Sequence, residues 1–318
     1  MKMFQEFPFR QTLVNGAGLL AACLTLTFAL SAECNAQKRF KTPTEATEVL
    51  ADAAKAGDVN GLIAILGREG RDIVISGDPV ADKTAVEKFA TSYNNKHQVV
   101  FEGDKKAVLV IGERDWPFPI PVVREGDAWK FDAAAGREEI LVRRIGRNEL
   151  NTIQVCRAYV DAQNEYASLN PQGLGNGIYA QRIISSPGKK DGLYWPTEPG
   201  EPPSPLGELV AAAASQGYGV GKGPIPYHGY YFRILTEQGA SAPGGEVDYV
   251  VRGKMIGGFA LVAYPAEYRN SGVMTFVVNH TGDVFQKDLG WNTSHIASRI
   301  TEFNPDQTWR KVSLATAN

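Results

Sequence analysis

Residues 146–167, GRNELNTIQVCRAYVDAQNEYA, organise the reading of this chain. Ile153, Cys156, Tyr159, Val160, Gln163, Tyr166 and Ala167 recur at three- and four-residue steps, which puts them on one helical face. Arg157, Asp161 and Glu165 take another face at four-residue spacing, where opposite charges support a helix. Asn148 is placed to cap the start, Glu149 to sit in the electropositive first turn, and Asn170-Pro171 to stop the helix. A helix striped on one side needs an apolar surface, and the strands expected after Tyr227 supply it.

The chain has 318 residues, 43 % of them hydrophobic and 21 % charged, with a net charge of −2. These values suit an ordinary globular protein, and the near balance of charge argues against nucleic acid or an anionic membrane surface as the main partner. Lys2 and Arg10 precede the apolar run GLLAACLTLTFALSA (18–32), and small residues follow at Cys34-Asn35-Ala36. That is the pattern of a secretory signal peptide over residues 1–36, too short for a spanning helix. Export to a periplasmic or extracellular location follows. The box Leu20-Ala21-Ala22-Cys23 leaves lipidation as a lesser alternative, and an uncleaved anchor is another. Cleavage after Ala36 would leave Cys156 as the sole cysteine, on the apolar helix face, as a packing residue.

Residues 37–145 read as a small α+β domain. Helices are expected from Thr42 to Ala54, after Asp58, and from Asp82, with a short strand or turn over Asp72–Gly77. Strands follow at Val99–Phe101, Ala107–Ile111, Phe118–Val123, Ala128–Phe131 and Ile140–Arg143, two of them joined by the turn Arg124-Glu125-Gly126-Asp127. Residues 168–226 are rich in Pro and Gly, with Leu193, Tyr194 and Trp195 expected to pin the segment down. One helix is expected within it, Leu206–Ser215, capped by Ser204. The glycine run from Gly217 is a turn, since it has neither the spacing nor the flanking elements of a phosphate loop. Residues 227–318 alternate as an antiparallel sheet, closed by a helix over Asn292–Phe303 with Trp309 packing back. The fold class is therefore α+β: helices with a curved antiparallel sheet, then a long central helix on a second antiparallel sheet.

Three resemblances attach to these stretches. Helices followed by PVVREGDAWKFD (121–132) resemble the nuclear-transport-factor-2-like cone, a fold that encloses a pocket and serves binding proteins and enzymes alike. The long helix with AYPAEYRNSGVMTFVVNHTGDVF (263–285) is similar to the head of type IV pilins and pseudopilins, although there the helix is N-terminal and here it is internal. With WPFPIPVV (116–123), AWKFDAAAGREEILVRRIGRNEL (128–150) and YHGYYFRIL (227–235), the mature chain from Phe40 to Thr308 resembles a bacterial secreted family, domain of unknown function family 2950. That resemblance implies neither an activity nor a catalytic residue.

No catalytic motif stands out. His97, His228, His280 and His295 show no metal-binding spacing, and no cofactor or metal is expected. Glu138, Arg143, Arg144, Arg147 and Glu149 cluster in sequence, with Glu139, at the junction of the two halves. They form either an interdomain network of salt bridges and caps or a carboxylate-binding or acid/base site, since planar Arg forks suit anions. Tyr230 and Tyr264 are candidates for a sugar- or peptide-binding face, although alternation makes half of such aromatics core. The reading these features favour is an exported, non-enzymatic binding or assembly protein. Its partner would be another envelope protein or a peptide or saccharide ligand, not nucleic acid. The alternative is an envelope hydrolase with its site at the seam.

Overall fold

The computed structural model describes residues 37–219 and 225–313. The leader read in residues 1–36 and residues 220–223 of the glycine run from Gly217 lie outside them. The described residues close into one compact unit.

The first helix, α1 (Pro43–Ala56), starts where Thr42 accepts a hydrogen bond from the Glu45 amide and ends at Gly57 in the left-handed conformation. It packs with α2 (Val59–Leu66) and α4 (Pro79–Asn95), and α2 in turn carries the single turn α3 (Arg71–Val74). The sequence reading began this last helix at Asp82. Asp78 instead accepts from the Val80 and Ala81 amides, with Pro79 at the first helical position. The strand or turn expected over Asp72–Gly77 is the end of α3 followed by a bend.

The upstream sheet is antiparallel throughout. β1 (His97–Phe101) pairs with β2 (Lys106–Ile111), which also pairs with β3 (Trp116–Pro117) and β4 (Val122–Glu125). β4 closes a hairpin with β5 (Ala128–Phe131) about Gly126, which has φ 66°. Leu50, Ala54, Leu62, Ile65 and Leu66 from the helices meet Ile120, Val122, Trp129 and Phe131 in one buried core.

The central helix is far longer than its apolar stripe indicates. α5 runs from Ala133 to Leu169, 37 residues, capped by Asp132 and stopped at Asn170 with φ 45°. The expected strand over Ile140–Arg143 lies inside it, and Asn148 is a buried mid-helix residue, not a cap. The upstream end is amphipathic against a different core, so its period shows only when Ala133, Gly136, Ile140 and Leu141 are read as one stripe. At about 1.5 Å per residue the helix is roughly 55 Å long, enough to reach both cores.

After α5 the chain wraps around it. Leu193 and Trp195 are buried as expected, and the Gln163 amide satisfies both the N–H and the C=O of Ala180 at 2.8 Å. α6 (Gly207–Ser215) forms near its expected place, but Ser204 does not cap it; the Ser204 hydroxyl is buried with no protein partner. β6 (Tyr230–Leu235) is the edge strand of the second large sheet. β7 (Glu237–Gln238) and β8 (Val247–Asp248) make a smaller sheet, and β9 (Val250–Val251) and β10 (Lys254–Met255) a hairpin. β11 (Ala260–Pro265), β12 (Met274–Asn279) and β13 (Val284–Asp288) continue the large sheet. The expected terminal helix shortens to α7 (Thr293–Ala297), and the chain then extends. β14 (Glu302–Phe303) pairs with β7 in parallel, and β15 (Arg310–Lys311) completes the order β15-β13-β12-β11-β6.

One face of this sheet carries α5, where the Tyr159 hydroxyl reaches the Ala260 carbonyl at 3.1 Å and Cys156 is fully buried. Burial pushes the Cys156 thiol up to about 12, which keeps it protonated and unreactive. The opposite face carries α7, held by Arg233 donating to the Ala297 and Ile300 carbonyls.

Two glycines of α5 test the packing. A Cβ at Gly136 would lie 2.5 Å from the Pro119 carbonyl oxygen, a backbone atom that cannot swing aside, whereas one at Gly146 meets nothing within 4 Å. Alanine gains about 1 kcal/mol of helix propensity at either site. Gly146→Ala should therefore raise stability by up to about 1 kcal/mol, and Gly136→Ala should lower it by about 1–3 kcal/mol. Urea unfolding of the two variants reads the opposite signs directly.

Candidate functional site

The seam between the two cores is built around Arg144. Its guanidinium leaves α5 to donate to the Asp72 carbonyl at 2.7 Å, to the Ile73 carbonyl, and to Oδ1 of Asn270 at 2.6 Å. Burial pulls the Arg144 pKa below its ordinary value, with Asp82 opposing that shift. Asn270 sits in the tight turn between β11 and β12 and donates from Nδ2 to the Ile75 carbonyl at 2.8 Å and to Glu267 at 2.9 Å. One turn further along α5, Asn148 donates to the Ser271 carbonyl at 2.9 Å, and Oε1 of Glu149 accepts the Val273 and Met274 amides at 2.9 Å each. The buried carboxylate of Asp78 works from the other side. One oxygen caps α4, and the other accepts from the Tyr218 hydroxyl and the Gly229 amide, both at 2.8 Å.

This network is a clasp. Each carboxylate in it holds backbone amides or hydroxyls, and Gly229 has φ 77° with no room for a side chain: a Cβ there would lie 2.6 Å from Nδ2 of Asn148. Both oxygens of Asp78 and Oε1 of Glu149 are thereby committed to fixing the geometry of the seam.

Of the residues singled out in the sequence, Arg144 and Glu149 join this clasp. Glu138 is exposed on α5, eleven residues before Glu149, so about 16 Å of helix rise separates the two. They do not form a carboxylate pair. Arg143 is exposed and holds Glu139 at 2.7 Å. Tyr230 is fully buried and donates to the Met274 carbonyl at 3.0 Å. Tyr264 is half-buried, its ring 5.6 Å from that of Tyr231.

Arg143, Arg144 and Arg147 also border a groove between α4 and the upstream half of α5, with a cavity of about 350 Å³. Leu50, Ala54, Leu62, Ile73 and Phe89 give it an apolar floor, and Trp116, 40 % exposed, stands at its edge. Lys88 adds a fourth cation. Among the described residues, neither Lys88 nor Arg147 pairs with a carboxylate. A second cavity of about 480 Å³ lies between the ends of α1 and α4, and Ala54, Val74, Asp82 and Val86 line both.

Asp82 thus stands in the shared wall. It accepts from the Ser76 amide at 3.0 Å and the Ser76 hydroxyl at 2.5 Å. Burial raises its pKa above the ordinary carboxylate range, partly offset by Ser76 and by Arg144. The sequence reading missed Lys88 and Asp82 as site residues. The available signal was Asp78-Pro79, which starts α4 one turn earlier and turns Asp82 and Lys88 towards α5.

The model of a family described as proteins of unknown function, DUF2950, matches residues 37–312. The chain belongs to this family. No curated protein matches it, and no solved structure does. The likenesses to the nuclear-transport-factor-2-like cone and to the pilin head are accordingly not confirmed. The DUF2950 match takes in both cores, the whole clasp and every residue named at the groove.

The clasp predicts that Arg144→Ala destabilises the protein by about 2–5 kcal/mol, because it strips charged donors from two carbonyls and one amide at once. Arg144→Lys should recover little, since one ammonium cannot span three acceptors set around a planar fork. Thermal unfolding of both variants, with Arg143→Ala as an exposed control expected within about 0.5 kcal/mol of the parent, measures this.

Proposed function

We propose that this protein is a non-catalytic binding protein of the cell envelope. We further propose that the groove between α4 and α5 takes a small amphipathic anion, an apolar tail with a carboxylate, sulfonate or phosphate head. One observation carries the reading: an apolar cavity of about 350 Å³ is bordered by four cations, two of them unpaired among the described residues. Volumes of this order are typical of small-molecule sites, which combine apolar walls with a few convergent polar groups. Arg147 and Lys88 are available to pair with a head group, and Arg forks favour planar oxyanions. Burial of the tail against Leu62, Ile73 and Phe89 supplies the hydrophobic part, at about 25 cal/mol per Å² removed from water.

The assignment to the envelope rests on the leader pattern of residues 1–36. A non-catalytic role is supported by the state of the acidic groups. Both oxygens of Asp78 and Oε1 of Glu149 are taken up by the clasp, and Glu138 faces solvent away from them. No helix of the described residues is long and apolar enough to cross a membrane.

Calorimetric titration with decanesulfonate, charged at every working pH, tests the groove. Saturable binding is expected, and decyltrimethylammonium, with the same tail and the opposite charge, should not compete. Arg147→Glu should weaken binding at least tenfold, about 1.4 kcal/mol, without lowering the melting temperature. Equal affinity for the two probes, or an Arg147→Glu variant that binds like the parent, would refute the reading.

Asp82 adds a pH dependence. Its folded pKa is raised, so the neutral form is favoured in the native state, and lowering the pH through that raised value removes a negative charge from the groove wall. Affinity for decanesulfonate should therefore rise as pH falls from neutrality towards the ordinary carboxylate range. Asp82→Asn should flatten that rise and bind at pH 7 as the parent does in acid.

A further inference from the structure

A third cavity, remote in chemistry from the cationic groove, lies between α6 and the sheet. α6 has no buried residue of its own; Leu209 and Val210 are half-buried and face a space of about 300 Å³. Val155 and Tyr159 of α5, Phe232 of β6 and Leu261 of β11 close the opposite wall. Among the described residues, no charged side chain lines it. Its two buried hydroxyls are occupied: Tyr159 bonds the Ala260 carbonyl at 3.1 Å and the Gln163 amide at 3.0 Å, and Tyr218 bonds Asp78 at 2.8 Å. Burial raises the pKa of both phenols, so neither supplies an anion.

We infer that this cavity is a binding site for an uncharged, apolar small molecule. Folded proteins pack to the density of organic crystals and keep few voids larger than a water molecule. An apolar cavity of about 150 Å³ stays dry and takes up benzene; this one has twice that volume. The buried hydroxyls of Tyr159 and Tyr218 already bond protein atoms and leave water little to gain there. A charged ligand would lose its hydration against a wall with no counter-charge. An aliphatic chain or a compact ring system gains instead, by contact with Val155, Phe232 and Leu261 on one side and Leu209 and Val210 on the other. α6 contributes Leu209, Val210 and Ala213 to the wall and shares few contacts with any other element, which lets it adjust to the shape of the guest.

The test uses the full chain and a neutral fluorophore, N-phenyl-1-naphthylamine, whose emission rises when it leaves water. A saturable rise with a single-site stoichiometry is expected. Ala213→Phe, which fills the cavity from α6, and Val155→Phe, which fills it from α5, should each weaken binding at least tenfold while holding or raising the melting temperature. Arg147→Glu, in the other groove, should leave the titration unchanged. The inference is overturned if no saturable rise occurs, or if a folded filling variant binds the probe as the parent does. A titration lost in Arg147→Glu and kept in Val155→Phe would likewise overturn it, by moving the probe to the cationic groove.

Discussion

The guanidinium of Arg144 ties the two halves of this protein together. It donates to two carbonyls at the end of α3 and to Asn270 in the turn after β11, and Asn270 returns a bond to the Ile75 carbonyl. A half-buried cation with three acceptors around it tolerates little sliding, because each displacement uncovers a charge–dipole pair in a region with little water. The clasp therefore fixes the angle at which α5 leaves the first core and enters the second. The groove between α4 and α5 has the width that this angle leaves, and the face that α5 turns to the second sheet follows from it.

How much of this was legible depended on which neighbour set the pattern. The stripe from Ile153 to Ala167 faces a single surface, so its period was plain and its buried residues came out as read, Cys156 included. From Ala133 to Arg147 the same helix faces a first core, then carbonyls, then solvent, and the apolar period dissolves into a run that passes for a strand at Ile140–Arg143. Asn148 looked like a cap because its side chain seeks a backbone partner. It does find one, but at Ser271, 123 residues away. Ser204 failed as a cap for a related reason: its hydroxyl is buried where the chain turns under Leu206, and α6 begins one residue later without it. Local propensity names what a side chain wants, and tertiary structure decides where that is met.

The candidate residues divide along the same line. Arg144 and Glu149 point into the seam and meet backbone groups from β12 and α3, partners no spacing rule can reveal. Arg143 and Arg147 lie on the outer side of α5, and α4 brings Lys88 across from them. Charge density along one helix was visible in the sequence; the apolar floor beneath it was not, because Leu50, Leu62 and Phe89 come from three separate helices.

The two cavities share a cause. α5 is one unbroken helix, about 55 Å long, and must serve a helical layer at one end and a sheet at the other. A rigid rod cannot follow both surfaces, so gaps open where it departs from each: beside α4 upstream, and beneath α6 downstream. Their chemistry then follows from what the rod presents at each gap. Upstream it shows Arg143 and Arg147, which stay solvated at an open edge and draw an anion over an apolar floor. Downstream it shows Val155 and Tyr159, whose polar atom is already bonded, so the gap has nothing to offer a charge. A single helix thereby separates a head-group site from an apolar one on the strength of residues eight to sixteen positions apart. The Arg144 clasp lies between the two gaps and holds both open, since closing either would require α5 to tilt against three hydrogen bonds.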